Sequence, residues 1–418
     1  MRLLVLTRAF PYPPGEQFVA PEAAHWAGPG RRVTVMPWAA AGEPVGVDER
    51  ITVDLTLARA TSRQRTLATA KALVSPWLFR DLRWLRSQRR LNRATATEAL
   101  QATRNALLVR DLLLDDARRH GRIDVVYSYW FDVWTLGALL ATRADPAAVG
   151  HVATRVHGYD LHESRHAAGF HGLKRQLAGD LDLLLPVSVS GGQVAVKTFG
   201  VPAGVVHHAP LGTPIPAQRA ATSAPGHVAI LSVASALPVK RIDRLVDAAR
   251  LLAESRPDLQ VSWTHLGGGT LLPELRARAA QGTPPANLTV TWAGQVSPDE
   301  VTAHLAGQPV DVFVNTSESE GVPVSIMEAM AHGVPALAPR VGAIDELVPA
   351  QGPGGALLGS SPTPHEIAET LADWAERAKL RAEREAAHMI VADRYDADAN
   401  AVQVVDLLAA LAEPRSHA

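Results

Sequence analysis

Short apolar segments recur along the chain, and longer stretches with helical periodicity separate them. In the first half these apolar segments read RLLVLT, RVTVMPW, DVVYSYW, AVGHVATRVHG and DLLLPVSV. In the second half they read HVAILSVAS, QVSWTHLG, LTVTWAG, VDVFVNT and PALAPR. Such apolar runs are typical of strands buried on both faces, and their alternation with helices predicts doubly wound α/β sheets.

Two sheets are expected, because 418 residues exceed what one ordinary hydrophobic core accommodates. The two series of strands are separated by TPIPAQRAATSAPG, whose Pro, Ala and Ser content is typical of an interdomain linker. The sequence therefore predicts one domain over residues 1–215 and a second over 226–395. An amphipathic helix is expected within residues 396–418, where the chain reads ANAVQVVDLLAALAE.

The composition narrows the classes of protein. A formal net charge of −1 gives no overall attraction to nucleic acid, and the absence of cysteine excludes disulfides and thiolate metal sites. No apolar window approaches the length of a membrane-spanning helix, and MRLLVLTRAF reads as a first strand rather than a signal peptide. We therefore expect a cytoplasmic protein.

Two glutamates stand out in residues 311–347, DVFVNTSESEGVPVSIMEAMAHGVPALAPRVGAIDEL. The pattern predicts a strand, a loop that carries Glu320, and a helix that starts near Val324, with Pro323 at its first position. Glu328 then lies about one turn inside this helix. Free N–H groups at Val324 and Ser325 suit a phosphate, and carboxylates suit sugar hydroxyls. Alternatively, Glu320 is a solvated loop acid and Glu328 only favours the helix N-terminus, by about 0.3–1 kcal/mol.

The same stretch resembles the signature of retaining family 4 glycosyltransferases. That signature is a glutamate, seven residues, a second glutamate and A-x-A-x-G-x-P, and here the chain reads EGVPVSIME with AMAHGVP. The resemblance implies a GT-B fold, in which two Rossmann-like doubly wound domains face each other across a cleft and the C-terminal helix crosses back to the acceptor-side N-terminal domain. It also implies that Glu320 contacts the donor sugar and Glu328 the ribose of the nucleotide, beside Gly321, Val322, Val324 and Ser325.

A second part of the resemblance concerns the phosphates of the donor. LSVASALPVKRIDRLVDAARLLA is similar to the family segment that supplies an arginine and then a lysine to the donor diphosphate. Lys240 occupies the lysine position, but Ser235 stands where arginine is usual. A guanidinium can bind phosphate with two hydrogen bonds, so its absence removes one of two expected cations. Arg241 is either a partial substitute or an exposed residue at a helix start.

Two glycine-containing turns in the second half also resemble the family. The turn after WTHL, with Gly267, Gly268 and Gly269, most simply lets a strand enter a helix tightly. TWAGQVSPDE is similar to the loop that lies beside the nucleobase through main-chain contacts. Residues 294–296, which are Gly294, Gln295 and Val296, are therefore candidates for the nucleotide pocket.

The first half contributes two further candidates by resemblance. Gly15 follows the first strand in FPYPPGE, where the family has a glycine loop whose amides approach the donor phosphate, although a plain turn glycine is the alternative. RVHGYDLHESR is similar to the family's histidine segment, so His157 is expected near the donor sugar and the reaction centre. Asp160 is a weaker candidate there, and a lone histidine is often structural.

The implied activity is transfer of a sugar from a nucleoside-diphosphate sugar to an acceptor hydroxyl with retention. The acceptor would be a glycan, a lipid-linked molecule or a small molecule, and neither a cofactor nor a metal is implied. D-x-D occurs at Asp180 and Asp182, but LAGDLDLLLPVS reads more simply as a strand entrance. Two alternatives remain, a sugar-nucleotide epimerase of the same fold and a non-catalytic nucleotide-sugar-binding partner of another transferase.

Residues 76–93 contain a cluster of arginines, namely Arg80, Arg83, Arg86, Arg89, Arg90 and Arg93. On a helical wheel Trp77, Trp84 and Leu91 share a face, which predicts a basic amphipathic helix. This helix either contacts an anionic membrane at its inner face, near a lipid-linked acceptor, or packs its tryptophans onto the N-terminal domain with its arginines in water. Aromatic platforms and basic grooves for nucleic acid are not otherwise indicated.

Overall fold

The computed structural model describes residues 1–13, 16–350 and 352–413. The described chain forms two compact units. The first comprises Met1–Pro210 together with the segment that begins at Asp398, and the second comprises Leu211–Ala397. The segment 213–226 packs on the second unit, where Ser223 donates from its hydroxyl to Asp311 at 2.5 Å.

The first unit is built on a parallel sheet of six described strands in the order β3-β2-β1-β4-β5-β6. The strands are β1 (Arg2–Thr7), β2 (Arg32–Pro37), β3 (Ile51–Val53), β4 (Ile123–Ser128), β5 (Val149–Val156) and β6 (Leu183–Pro186). The α-helices are α1 (Ala20–Trp26), α2 (Ser62–Leu73), α3 (Pro76–Ser87), α4 (Arg93–His120), α5 (Val133–Ala144), α6 (Lys174–Leu177) and α7 (Val189–Val194).

The second unit repeats this topology, with six described strands in the order β12-β11-β10-β7-β8-β9, all parallel. The strands are β7 (His227–Val233), β8 (Gln260–Leu266), β9 (Leu288–Gly294), β10 (Val312–Val314), β11 (Ala336–Pro339) and β12 (Gly355–Leu358). The α-helices are α8 (Ile242–Ser255), α9 (Leu272–Ala279), α10 (Pro298–Gly307), α11 (Val324–Ala331), α12 (Pro364–Arg377) and α13 (Arg381–Arg394).

A last helix, α14 (Ala397–Ala412), packs on the sheet of the first unit. Successive side chains of a strand point to opposite faces. Leu3 and Val5 of β1 accordingly share a core with α1 and α14, while Leu4 and Leu6 share a core with α4 and α5. Both faces of the sheet are therefore covered, as a continuous apolar strand requires.

The strand predictions are confirmed for all ten apolar segments, but β3 and β12 were not predicted. Both are short strands at the edge of their sheet. The sequence ITV of β3 follows a polar stretch, and β12 begins at a glycine, so neither carries the apolar run that identified the others. No helix in the described part of the chain is long and apolar enough to cross a membrane.

The prediction of one amphipathic helix through residues 76–93 is wrong in its extent. The α3 helix ends at Ser87, Arg89 adopts a left-handed conformation with φ 55°, and Asn92 caps the start of α4 by accepting from the Thr95 amide at 3.0 Å. Leu91 is consequently 45% exposed and does not share a helix face with the tryptophans. The asparagine three residues before a threonine was the available signal for this break.

The two tryptophans of α3 pack inward, as one of the two interpretations expected. Trp77 packs against the core of the first unit, and Trp84 stacks on Phe170 with ring centroids 5.7 Å apart. Arg90 pairs with Glu163 at 3.1 Å. The other arginines of the cluster are exposed, namely Arg80, Arg83, Arg86, Arg89 and Arg93.

Candidate functional site

Lys240 and Glu320 form the central contact of the second unit. Lys240 follows β7 and Glu320 follows β10, and these two strands are parallel neighbours. The Lys240 Nζ donates to Glu320 Oε1 at 2.7 Å, and the Asn315 amide donates to the same oxygen at 3.3 Å. The two charged side chains are only 25% and 11% exposed. A cation and a carboxylate that are far apart in sequence thus meet at the carboxyl edge of the sheet, where open α/β sheets bind ligands.

Backbone contacts hold the two loops together independently of this ion pair. The Thr316 hydroxyl donates to the Lys240 carbonyl at 2.9 Å. The Glu318 amide donates to the Val239 carbonyl at 2.8 Å. The position of Lys240 is therefore set by hydrogen bonds to the main-chain carbonyls of Val239 and Lys240, so a substitution of the Lys240 side chain should leave the loop in place.

Glu328 lies on α11, and its side-chain carboxyl makes no hydrogen bond or ion pair with the residues that the structure describes, whereas its main-chain carbonyl accepts from the His332 amide at 3.3 Å. Burial alone raises the pKa of its carboxyl from 4.5 to about 7. A partly buried carboxylate without a partner destabilises the ligand-free protein, and such groups are concentrated at binding sites. Glu328 is thus prepared to accept hydrogen bonds from a ligand.

The start of α11 differs slightly from the expectation. Pro323 has ψ 119° and precedes the helix as its cap residue, so it is not the first helical residue. Val324 is the first helical residue and Ser325 the second, and amides in this first turn have no intrahelical acceptor. Val322 is buried in the core beside α11, and Gly321 accepts from the Ala343 amide at 3.2 Å. Val322 and Gly321 thus anchor the loop, and the amides at the N-terminus of α11 are available to bind an anion.

Gly342 has a role that the sequence reasoning missed. It adopts φ +60°, and a Cβ at this position would lie 2.0 Å from the Glu320 carbonyl oxygen. Any other residue would force apart the loop after β11 and the loop that carries Glu320. A glycine soon after a strand, in RVGAIDE, was the only signal in the sequence.

Ser235 and Arg241, the two residues considered beside Lys240 for the phosphate contact, lie in different environments. Ser235 is exposed in the loop after β7. Arg241 adopts φ 47° and pairs with both Asp243 and Glu318. Hydrogen bonds to these carboxylates raise the pKa of Arg241 above its usual value. Its charge is therefore neutralised within the protein, and Lys240 is the better candidate for a phosphate.

The glycine turns of the second unit allow close backbone packing. Gly267 adopts φ +150°, and a Cβ there would lie 1.9 Å from the Ala234 carbonyl oxygen. The Gly267 amide donates to Gly294 at 2.8 Å, and Gly294 adopts φ +77°. Gln295 is exposed and Val296 is half-buried beside the same turn. The turn of residues 267–269 thus holds the loop of residues 294–296 next to the loop after β7.

His157 belongs to the first unit, at the carboxyl end of β5. Its ring lies 4.3 Å from the Trp130 ring, and neither ring nitrogen has a hydrogen-bond partner among the described residues. Burial, with a smaller effect of Arg155, lowers the pKa of His157 to about 3. The imidazole is therefore neutral at physiological pH and can donate or accept a hydrogen bond, but cannot supply positive charge.

Asp160 orients the His157 loop. It accepts from the amides of Phe131 and His157 at 3.0 and 2.8 Å, and burial raises the pKa of its carboxyl to about 6. Lys174, which is buried, donates to the Asp160 carbonyl. Asp160 is thus fully engaged in holding the loop, which favours a positioning role over ligand contact.

Glu16 is a further residue that sequence reasoning missed. Its buried carboxylate accepts from the Ala9 and Phe10 amides at 2.6 and 2.7 Å and from the Trp130 indole at 2.5 Å. It thereby ties the segment after β1 to the ring that packs on His157. The predicted neighbour Gly15 lies outside the described residues. An acid directly after a proline and glycine turn was the available signal.

The D-x-D motif has structural partners. Asp180 pairs with Arg143, and Asp182 accepts from the Val152 amide at 2.9 Å and lies 3.0 Å from the His151 ring nitrogen. In the parts of the chain that the structure describes, no group of three or more His, Asp or Glu side chains could hold a metal ion.

The comparison with protein families identifies the second unit. Residues 227–377 match the model of the family described as glycosyl transferases group 1. This segment is a glycosyl transferases group 1 domain. It contains Lys240, Glu320 and Glu328, so the Lys240–Glu320 contact and the start of α11 are features of that domain.

Solved structures resemble the chain along nearly its whole length. HepE from Anabaena, crystallised with UDP, is 16% identical with a TM-score of 0.62, over 98% of this chain and 100% of HepE. The lipopolysaccharide outer core galactosyltransferase WaaB is 13% identical with a TM-score of 0.65, over 97% and 99%. A glycosyltransferase from Rickettsia africae is 12% identical with a TM-score of 0.63, over 98% of both chains.

At these identities the likeness shows the fold alone, and the prediction of a GT-B fold is confirmed at the level of fold class. A search of curated proteins by sequence found no match. The glycosyl transferases group 1 domain therefore brings together a cation, a helix N-terminus and a carboxylate without a partner, which can bind a phosphorylated, hydroxyl-bearing ligand.

Proposed function

We propose that the chain is a retaining glycosyltransferase that moves a sugar from a nucleoside-diphosphate sugar to an acceptor hydroxyl. The observation that carries this proposal is the contact of Lys240 with Glu320 beside the N-terminus of α11, within the glycosyl transferases group 1 domain. Positive charge for a leaving diphosphate and acceptors for sugar hydroxyls are the two features that such a transfer requires.

The donor would be held by its three chemical parts. The amides of Val324 and Ser325, with the positive end of the α11 dipole, would hold the diphosphate. The carboxylate of Glu328 would accept from the two ribose hydroxyls. The backbone of residues 294–296, held in place by the glycine turn of residues 267–269, would lie beside the nucleobase.

Glu320 and Lys240 would act on the two sides of the bond that breaks. Glu320 would accept hydrogen bonds from the donor sugar, and Lys240 would exchange part of its contact with Glu320 for the leaving phosphate. As the bond between the anomeric carbon and the phosphate oxygen breaks, negative charge grows on that oxygen, and a preorganised cation stabilises it. His157, neutral because of burial, would donate to or accept from the donor sugar.

Retention would follow from attack on the same face as the departing phosphate. The acceptor oxygen bonds to the anomeric carbon, the nucleoside diphosphate leaves with the bonding electron pair, and a phosphate oxygen takes the acceptor's proton. No described carboxylate is proposed as a nucleophile, because Glu320 is hydrogen-bonded to Lys240 and Asn315. We further propose that Lys240 and the α11 amides supply the positive charge without a divalent metal, so turnover should persist in EDTA.

A thermal-shift screen with UDP-, GDP- and ADP-sugars tests donor binding directly. HepE has been crystallised with UDP-glucose, which makes UDP-glucose the first donor to examine. A ligand at about 100 times its dissociation constant stabilises a protein by about 2.7 kcal/mol. A melting-point rise with at least one donor supports the proposal, and the absence of a shift with every donor at millimolar concentration would refute it.

A second function is favoured by one specific observation, which is Ser235 at the position of the usual arginine. Arg241 does not replace that arginine, because it is paired with Asp243 and Glu318. A chain with one phosphate-binding cation could bind a nucleotide sugar and serve as a non-catalytic partner of another transferase. Turnover by the purified chain, reduced about 100-fold or more in Lys240→Ala and kept in the exposed control Lys197→Ala, would exclude this alternative.

A peripheral membrane contact is also proposed for the α3 region, which would place the protein at the inner face of a membrane. Val74 and Phe79 are 76% and 57% exposed, next to the exposed arginines of α3. Apolar side chains among arginines match the surface of an anionic bilayer, where a lipid-linked acceptor would be found.

A further inference from the structure

The first unit contains a cavity of about 550 Å³ that the proposed donor site does not use. It lies at the carboxyl ends of three strands, because Trp38 follows β2, Trp130 follows β4 and Tyr159 follows β5. Small-molecule sites commonly occupy about 300–1,000 Å³, and open α/β sheets bind ligands at this edge. Since acidic side chains from α4 and from the start of α5 also line it, we call it the acidic cavity.

Aromatic rings form much of the wall of the acidic cavity. Trp38 and Trp134 pack together with ring centroids 5.8 Å apart, and Tyr159 is 50% exposed. Trp134 is only 5% exposed, and its indole N–H has no hydrogen-bond partner among the described residues. Aromatic faces pack against the C–H faces of sugar rings, while indole N–H and phenol O–H groups bind hydroxyls.

Three acidic residues line the cavity, namely Glu98 on α4, Asp132 at the start of α5, and Asp160, whose two carboxyl oxygens already accept from the Phe131 and His157 amides. One oxygen of Asp132 accepts from the Val133 amide at 2.7 Å, and the other oxygen has no partner among the described residues. Burial, and next the charge of Asp132, raise the pKa of Glu98 to about 7. A hydrogen bond from the Gly172 amide to Glu98 and the charge of Lys174 offset only part of this shift.

The basic groups around these acids do not neutralise them through close contacts. The His166 Nε2 lies 3.7 Å from a Glu98 oxygen, but burial lowers the pKa of His166 below its usual value. Lys174 donates to the Asp160 carbonyl rather than to Glu98 or Asp132. Arg8 also lines the cavity, and its side chain is exposed. The cavity thus presents carboxylates without a directly bonded cation.

We propose that the acidic cavity binds the acceptor as a sugar or polyol that carries an ammonium group, with the ammonium against Glu98 and Asp132 and the ring against Trp38 and Trp134. The inference rests on the proposed transferase function and names the class of acceptor. An ammonium donates three hydrogen bonds and removes the repulsion between the two acids. A carboxylate or phosphate on the acceptor would meet like charge.

Binding of matched free sugars to the full chain tests this inference. Glucose, its 6-amino and 2-amino derivatives and glucuronate differ only in the charge and position of one group, and calorimetric titration at pH 7.5 gives each affinity. At least one amino sugar should bind tenfold or more tightly than glucose, and glucuronate should bind more weakly than glucose. Equal affinities for glucose and both amino sugars would overturn the inference.

Substitutions separate the charge effect from simple filling of the cavity. Glu98→Gln and Asp132→Asn keep the size of each side chain, and asparagine also preserves the cap of α5. Each should lower amino-sugar affinity about 10- to 100-fold and leave glucose affinity unchanged, since a hydrogen bond to a charged group contributes about 1.5–3 kcal/mol. The exposed control Glu49→Gln should change neither. An amino-sugar preference that survives in both variants would overturn the inference, and either variant suffices if the other does not fold.

Donor turnover distinguishes failure of this inference from failure of the proposed function. Release of nucleoside diphosphate from the donor, with water as acceptor, does not require the acidic cavity. If that release is seen while amino sugars show no preference, the transferase proposal stands and the acceptor class is wrong. If amino sugars bind but no donor is turned over, the cavity is a cation-selective sugar site and its assignment to an acceptor is wrong.

Discussion

Replacing Glu328 with glutamine should make the ligand-free protein more stable and its nucleotide binding weaker. Burial raises the pKa of this carboxyl from 4.5 to about 7, and no described residue pairs with it. One pKa unit corresponds to about 1.4 kcal/mol. The ionised form therefore lowers the free energy of unfolding by up to about 3 kcal/mol, which glutamine would recover.

The sign of the pH dependence follows from the raised pKa. Between about pH 4.5 and pH 7 the folded protein holds a proton at Glu328 that the unfolded chain has released, so stability decreases as the pH rises. Below pH 4.5 the carboxyl is protonated in both states, and the difference between wild type and Glu328→Gln should vanish. Above pH 7 the difference should be largest and constant.

Thermal unfolding at pH 5 and pH 8 measures this difference. For a unit of this size about 1 kcal/mol corresponds to about 2–4 °C, so Glu328→Gln should melt up to about 6–12 °C higher at pH 8 but only about 2–3 °C higher at pH 5, just above the unfolded pKa of 4.5. The exposed control Glu254→Gln should not change the melting point at either pH. A Glu328→Gln protein that melts lower at both pH values would show that the carboxylate is already stabilised by a partner.

Nucleotide binding should respond in the opposite direction. Glu328→Gln keeps one acceptor oxygen but loses the charge, so the affinity for a nucleoside diphosphate should fall by about 1.5–3 kcal/mol. At pH 8 calorimetry with UDP and GDP should show this loss relative to wild type and to Glu254→Gln. Unchanged affinity for the nucleotide that wild type binds would refute the ribose role.

Further substitutions separate the other proposed roles. Lys240→Ala should reduce turnover about 100- to 1,000-fold with a smaller effect on donor affinity, because charge on the leaving phosphate is greatest in the transition state; near-normal turnover would assign the role elsewhere. Glu320→Gln should depress transfer and spare nucleoside-diphosphate affinity in calorimetry, and an equal loss of both would argue against a sugar contact. Ser235→Arg should raise donor affinity, and no gain would show that the phosphate site is already complete. If α3 lies on a membrane, the triple substitution of Arg83, Arg86 and Arg89 by glutamine should release the protein from anionic liposomes at low salt. Failure of the wild-type protein to sediment with these liposomes would contradict the membrane proposal.

Most of the fold was readable from the sequence because its central parallel strands are buried on both faces, whereas the edge strand β9 alternates between half-buried and exposed residues. Ten strands appear as apolar runs, and α11 ends before Gly333 as the sequence indicated, although Pro323 caps the helix and is not its first residue. The edge strands β3 and β12 were not predicted because each is only three or four residues long and is adjoined by polar residues or glycine. The break between α3 and α4 was missed because Trp77, Trp84 and Leu91 recur every seven residues and the arginines continue to Arg93, so the helical pattern extends across the break.

The candidate site was readable only in part, because its contacts join segments far apart in sequence. The motif placed Glu320 and Glu328 on one loop and helix, but the 2.7 Å contact of Lys240 with Glu320 depends on the pairing of β7 with β10. The need for Gly342 arises from its approach to the Glu320 carbonyl, which no local pattern records. The acidic cavity likewise combines residues from several loops and α4, none of which forms a sequence motif.

The anomeric configuration of the sugar released from the donor tests the central claim most directly. Proton NMR can follow the purified chain with UDP-glucose, or with whichever donor raises the melting point, and record the anomer that first appears before mutarotation. Retaining transfer to water or to an added amino sugar predicts a product with the anomeric configuration of the donor, together with nucleoside diphosphate, and about 100- to 1,000-fold slower formation of both with Lys240→Ala. First appearance of the inverted anomer would contradict the retaining mechanism, and absence of nucleoside diphosphate with every donor and acceptor would contradict catalysis.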